Sequence, residues 1–336
     1  MTSVIVLAPF LSGPLRGNAV HAERKAKLLA DAGLEVHLID AKAELPREIP
    51  AAEILLALHG WRTVEQVDCI LAQRPMPLII VTTGTDVPPG LPTKWREVAA
   101  ANFARASSIV VQHPEQRREL VAAFPELELG AKCVHVPPSV SLTPRKRPTT
   151  HFGDAPHLLQ ISGLRAIKGV GFIPEFMQAL WKRIPEARYT LIGAAIEDDY
   201  ARPIMDWIEA EPRCQRLEGL SHDQSLAMLA DADLLVSTSR HEGLSNALLE
   251  AMATGVPVVA SNIAPNRELI RDGVNGLLYD GAGGFVAAIE RLAEEAALGP
   301  SLADAAQAFV ARSHSPAAEQ AALLAVIDRV IDGLGA

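Results

Sequence analysis

At 336 residues, 49% of them hydrophobic, the chain is longer than one core ordinarily supports and apolar enough to build two. Its net charge of −9 is uneven, because residues 1–150 hold 17 Lys/Arg against 15 Asp/Glu while the remainder holds 14 against 25. Nucleic acid is excluded as a partner, since its binding needs a basic footprint that the acidic half lacks, and no run of roughly 18 apolar residues provides an integral membrane segment.

The opening "MTSVIVLAPF" has neither a basic start nor a small-residue cleavage site, so a cytoplasmic protein is expected. Apolar, β-branched runs then alternate with helical patterns: "SVIVLAPF", helix "NAVHAERKAKLLADAG", "LEVHLID", "ILLALHG", "PLIIVTTGT", "SSIVVQH" and "KCVHVPP". Such an alternation predicts parallel strands in a doubly wound sheet. The Pro- and Arg-rich stretch from Pro144 to Pro156 breaks the pattern and reads as a linker. A second series follows: "HLLQISG", helix "FIPEFMQALWKRI", "ARYTLIG", "CQRLEGL", "DLLVSTS", "PVVAS" and "GLLYD". The chain therefore reads as α/β, two Rossmann-like domains in tandem, residues 1–148 and 149–312. The closing amphipathic stretch, 313–336, either caps the second domain or crosses back to the first. Cys69, Cys133 and Cys214 are isolated, which argues against a disulfide framework and a zinc site.

In open α/β sheets ligands sit beyond the carboxyl ends of strands, so the cleft between two such domains is the expected site. The stretch Ser239–Ser261, "SRHEGLSNALLEAMATGVPVVAS", runs from loop to helix to strand. Ser245 is a suitable helix N-cap, and Gly255 and Pro257 end the helix and open the next strand. Glu242 and the amides of Gly243, Leu244 and Ser245 then lie at a helix N-terminus, where free N–H groups suit ligand oxygens. Glu250 follows eight residues after Glu242, roughly 12 Å if all the intervening chain were helical. That exceeds the ~5 to 9.5 Å between paired glycosidase carboxylates, so the two suit opposite ends of an elongated ligand, of which a nucleotide sugar is one. In "SGLRAIKG", Arg165 and Lys168 occupy a strand-end loop and can stabilise charge building on a departing diphosphate. Gly17 and Asn18 open the first helix and allow a phosphate or sugar to approach its backbone. Asp231-Ala232-Asp233 mimics a metal-binding DxD but lies where a helix meets a strand, so no metal is expected.

Ser239–Asp280, with its E-x7-E pattern and trailing "GVNGLL", and Ile161–Gly169, "ISGLRAIKG", resemble the retaining glycosyltransferases of the GT-B fold, family 4 type. The resemblance implies that Glu242 and the following amides face the donor sugar, that Glu250 takes the ribose hydroxyls, and that the base contacts backbone near Leu217 and Leu220. It implies a nucleotide-sugar co-substrate, a UDP-sugar, with no further cofactor. Transfer would retain anomeric configuration through an oxocarbenium-like transition state, a phosphate oxygen helping to take the acceptor proton. The family often carries a histidine after the strand that ends in "TTGTD"; Thr83, Gly84, Thr85 and Asp86 stand there instead. "RGNAVHAERKAKLLADAG", "LLALHGWRT" and "VTTGTDVPPGLP" resemble the selenosugar synthases of selenoneine biosynthesis, which implies a small soluble acceptor, selenophosphate. His59, Arg62, Thr83, Gly84 and Thr85 are the acceptor-binding candidates on that resemblance. Two rival readings share the architecture: a nucleotide-sugar epimerase and a non-catalytic nucleotide-sugar-binding protein.

Overall fold

The apolar segments of the first half form β1 (Ser3–Ala8), β2 (Glu35–Asp40), β3 (Ile54–Leu58), β4 (Leu78–Val81), β5 (Ser108–Val111) and β6 (Cys133–His135) in a computed structural model that describes residues 2–11, 17–88, 90–140 and 155–333. All pair in parallel, in the order β2-β1-β3-β4-β5-β6. β3 and β4 are buried at every residue, as expected of parallel strands covered on both faces, and this is why their sequences are continuous apolar runs rather than alternating ones.

The second half forms β7 (His157–Ile161), β8 (Arg188–Ile192), β9 (Cys214–Leu217), β10 (Leu234–Ser237), β11 (Val258–Ser261) and β12 (Leu277–Tyr279). Their order is β12-β11-β10-β7-β8-β9, again all parallel. The chain leaves β7 towards β8 on one side and later returns to β10 on the other, so the order reverses between β7 and β10. That reversal opens a crevice at the strands' carboxyl ends, the usual ligand position in doubly wound sheets. In the first sheet the reversal lies between β1 and β3.

Two compact units result, Met1–Ser139 with His314–Ala336, and Val140–Ser313. The change of unit falls at Ser139/Val140, whereas composition marks the join near Pro144–Pro156, of which residues 144–154 lie outside the described residues. The last helix, Pro316–Asp332, lies in the first unit, where Leu323, Val326, Ile327 and Val330 join Val4, Val6, Leu56 and Leu58 on one face of the sheet.

This helix also explains a residue that breaks the apolar stripe of Gly17–Asp31. Lys25 is buried there beside Ala22, Ala26 and Leu29. Its Nζ lies 2.5 Å from Oε1 of Glu319, which is itself fully enclosed. Glu319 Oε2 accepts from Arg24 Nε at 2.9 Å, Ser139 N at 2.7 Å and Ser139 Oγ at 2.6 Å. Burial alone would raise this carboxyl's pKa, but Lys25 and Arg24 hold it far below the usual carboxylate range. No helix among the described residues is long and apolar enough to cross a membrane.

Candidate active site

The second unit gathers its polar groups at the β7/β10 reversal. β7 runs into Ser162–Arg165 and a 3-10 turn at Ala166–Lys168, which Gly169 closes with φ +63°. A Cβ at Gly169 would stand 2.1 Å from the Thr238 carbonyl oxygen, so only glycine permits the turn to lie against the end of β10. Hydrogen bonds then lace the two loops. Thr238 Oγ1 donates to Lys168 O at 3.0 Å, and Arg240 N donates to Ile167 O at 2.9 Å. Tyr189 OH donates to Gln160 Oε1 and Gln160 Nε2 to Thr238 Oγ1, both at 2.9 Å, a buried polar chain that ties β8 and β7 to the end of β10.

The outcome is a close ion pair. Lys168 Nζ lies 2.6 Å and 2.5 Å from the two carboxylate oxygens of Glu242, and Ser239 Oγ donates to Oε1 at 2.6 Å. Burial would raise the Glu242 carboxyl, but the Lys168 charge and hydrogen bond, the Ser239 hydroxyl and the Arg165 charge outweigh it, and its pKa is lowered. Arg165 sits two residues before the middle of the turn, its Nε buried without a hydrogen-bond partner among the described residues. The loop carrying it is held from the β8 side: Leu164 N donates to Ala194 O at 2.9 Å, and Ala166 N to Glu197 Oε2 at 2.8 Å. Two cations and one carboxylate thus stand together at the reversal.

Ser245 caps the helix Asn246–Thr254, its Oγ accepting from Leu248 N at 3.4 Å, and Gly255 ends it with φ +76°. Gly243 and Leu244 are buried just before it. Glu242 lies in the preceding loop and only the steps from Asn246 to Glu250 are helical, so the full helical rise does not measure the separation of the two glutamates. Their distinctness rests on their partners instead: Glu242 is bound to Lys168, whereas Glu250 Oε1 lies 2.9 Å from His222 Nε2. Leu217 ends β9 with its carbonyl accepting from Gly193 N at 2.9 Å, and Leu220 lies in the loop before the Ser221-capped helix His222–Asp231. Of the DxD look-alike, Asp231 ends that helix and Asp233 Oδ2 accepts from His157 N at 2.8 Å. Among the described residues no three His, Cys, Asp or Glu side chains form a metal-binding group.

In the first unit the acceptor candidates cluster at the ends of β3 and β4. His59 takes φ +79° and is wholly enclosed; its Nε2 accepts from Arg62 Nε at 3.0 Å and lies 3.1 Å from Thr85 Oγ1. His59 therefore fastens the loop, while Arg62, Thr83 and Thr85 are the partly exposed members. The group that organises them is Asp86, fully buried, which accepts from Gly60 N at 2.7 Å, Thr83 N at 2.8 Å and Gly84 N at 2.9 Å. The Arg62 guanidinium lies over the rings of Trp61 and Phe10, 4.6 Å and 5.5 Å from their centroids, and Trp61 stacks on Trp95 at 4.7 Å. Gly17 and Asn18 begin the first helix, and residues 12–16 before them lie outside the described residues.

Sequence reasoning overlooked Asp86, Ser239 and His222 as members of these sites. Asp86 carries no local signal, since an Asx turn takes the amide two residues on, whereas Asp86 accepts from amides two and three residues before it. The "SHDQ" capping box places His222 at a helix start, but its pairing with Glu250 across 28 residues has no local signature.

Residues 155–295 match the family described as Glycosyl transferases group 1. Over 153 residues the chain is 31% identical to the lipopolysaccharide core biosynthesis glycosyltransferase LpsE of Rhizobium meliloti, covering 45% of this chain and 43% of that one. Over 155 residues it is 27% identical to the glycosyltransferase 1 domain-containing protein 1 of Xenopus tropicalis, covering 46% and 45%. The matched stretches span less than half the length of either relative. Among solved structures, sucrose-phosphate synthase from Thermosynechococcus elongatus superposes with a TM-score of 0.80 at 16% identity, over 99% of this chain and 100% of that one. Anabaena Alr3699/HepE in complex with UDP and glucose gives 0.80 at 17% identity, over 98% and 100%. The fold is GT-B, with two parallel-sheet α/β units.

Proposed function

We propose that the protein is a retaining, metal-independent glycosyltransferase that moves a sugar from a UDP-sugar to a small soluble acceptor, selenophosphate being the acceptor that the first unit suits. The observation that carries the reading is the Lys168–Glu242 pair beside Arg165 at the β7/β10 reversal, directly before the helix that Ser245 caps. The matches to glycosyltransferases over the same unit support it, as does the binding of UDP and glucose by a protein of this fold.

On this reading Arg165 and Lys168 contact the donor's diphosphate. An ammonium has three N–H groups, so Lys168 can hold Glu242 and a phosphate oxygen together, and Arg165 brings a guanidinium whose Nε has no hydrogen-bond partner among the described residues. Both oppose the charge that accumulates as the nucleoside diphosphate leaves. Glu242, kept ionised by Lys168, accepts from a hydroxyl of the transferred sugar and stabilises an oxocarbenium-like centre. The amides of Gly243, Leu244 and Ser245 serve the same sugar. Glu250 accepts from ribose hydroxyls, the base lies near Leu217 and Leu220, and Gly17 and Asn18 are the first unit's donor-binding candidates. Attack comes on the face that the diphosphate leaves, a phosphate oxygen taking the acceptor's proton. Arg62, Thr83, Gly84 and Thr85 bind the anionic acceptor, with His59 enclosed behind them.

A thermal-shift screen of nucleotide sugars, followed by turnover with selenophosphate, thiophosphate, phosphate and small alcohols, tests this reading. The expected result is stabilisation by a UDP-sugar and a product whose anomeric configuration, by NMR, matches the donor. An epimerised donor formed without acceptor, or no response to any nucleotide sugar, overturns it.

A further inference from the structure

Resting on that reading of the donor site, we infer that His222 is a positioning residue that aims the Glu250 carboxylate at the ribose hydroxyls and so sets the preference for ribose over deoxyribose. Glu250 is only 8% exposed, yet it lies on the helix that follows the Glu242 loop, facing a histidine rather than an apolar neighbour. His222 Nε2 lies 2.9 Å from Oε1; Oε2 has no hydrogen-bond partner among the described residues, and the side chain keeps 11% of its surface exposed. One oxygen is tethered and the other is left to accept from a ligand.

The tether is itself anchored. His222 is the first residue of the helix His222–Asp231, and Ser221 and Gln224 form a reciprocal capping box there, Gln224 N donating to Ser221 Oγ at 3.2 Å and Ser221 N to Gln224 Oε1 at 2.8 Å. The imidazole is therefore held by a helix start rather than by an unrestrained loop. A glutamate side chain has three rotatable bonds, and fixing one oxygen removes most of the freedom that binding would otherwise have to remove. His222 does not touch the ribose on this account; it acts through Glu250.

The test is calorimetric titration of the intact protein with UDP, GDP and ADP and with the 2′,3′-dideoxy form of whichever binds. In the unmodified protein the ribose form binds more tightly, and Glu250→Gln removes most of that preference. His222→Ala is expected to weaken the ribose form roughly five- to tenfold, the scale of one ordinary net hydrogen bond. Its affinity for the dideoxy form should stay within about twofold, so the ratio collapses towards one. His222→Gln, which keeps an N–H donor, should restore most of the ratio. If His222→Ala weakens both forms equally, or leaves the ratio intact, the inference fails while the donor-site reading stands. If no nucleoside diphosphate binds the unmodified protein, the reading fails and the inference with it.

Discussion

Glu242 is mostly enclosed, and Lys168 contributes most to keeping it ionised, so the two residues should fail in different ways. Glu242→Gln keeps the shape and loses the charge, and turnover should fall roughly 100- to 1000-fold, the scale of one lost stabilising group in a preorganised site. Lys168→Met leaves the enclosed carboxyl with only the Ser239 hydroxyl and the Arg165 charge, so its pKa should rise. The sign follows from the lowered folded pKa: the pair's contribution to stability is present above the ordinary carboxylate range and is lost as pH falls through the lowered value. The variant should therefore lack the parent's acid-range loss from this pair, its urea midpoints falling less steeply as pH is lowered. Coincident midpoint-against-pH curves would remove Lys168 as the cause of the shift. Glu242, Lys168 and Arg165 were visible in sequence as a glutamate before a capped helix and two cations in a strand-end loop. Their mutual pairing was not, because 74 residues separate Lys168 from Glu242.

The strands, the capped helices and the turn glycines were the most legible parts, because each rests on a local rule: β-branched runs for buried strands, Ser245 and Gly255 for the ends of a helix. Less legible was what a turn leans against. Gly169 reads as an ordinary turn glycine, yet its lack of a Cβ lets the β7 loop meet Thr238. Gly169→Ala should cost at least about 3 kcal/mol, combining left-handed strain with a backbone clash, and a chemical denaturation curve unchanged from the parent would refute the close approach. Lys25 posed the opposite difficulty, a charge within an apolar stripe whose partner lies 294 residues away. Replacing Glu319 with Gln strands that ammonium and should cost about 3–5 kcal/mol, whereas Lys25→Met with Glu319→Leu should recover a large part of the loss. Equal stability of the single and double variants would show that the network is not coupled in this way.

At the scale of the molecule, composition announced two α/β units and an acidic second half, but it could not order the strands, since the side on which each crossover returns is decided by packing. That order brings the ends of β7 and β10 together in one unit and those of β1 and β3 in the other. On the proposed reading the units divide the labour, and lesions should separate accordingly. Asp86→Asn removes an acceptor shared by Gly60, Thr83 and Gly84 amides, and about 2 kcal/mol of stability should go with it. The acceptor KM should rise about tenfold, an energy of that same order, while nucleoside diphosphate affinity is unchanged. Arg165→Ala should do the reverse. A common loss of both in either variant, measured by titration calorimetry and steady-state kinetics, would contradict that division.

The helix Pro316–Asp332 also bears on how the protein is made. Because Leu323, Val326 and Ile327 cover one face of the first sheet and Glu319 neutralises Lys25, the first unit stays incomplete until residues 316–332 have left the ribosome. The second unit, contiguous from Val140 to Ser313, can mature before the first is finished. Cotranslational assembly would then run against the usual order in which the earlier of two domains settles first, and the nascent chain would carry an uncovered apolar sheet face in need of chaperone protection until that helix emerges.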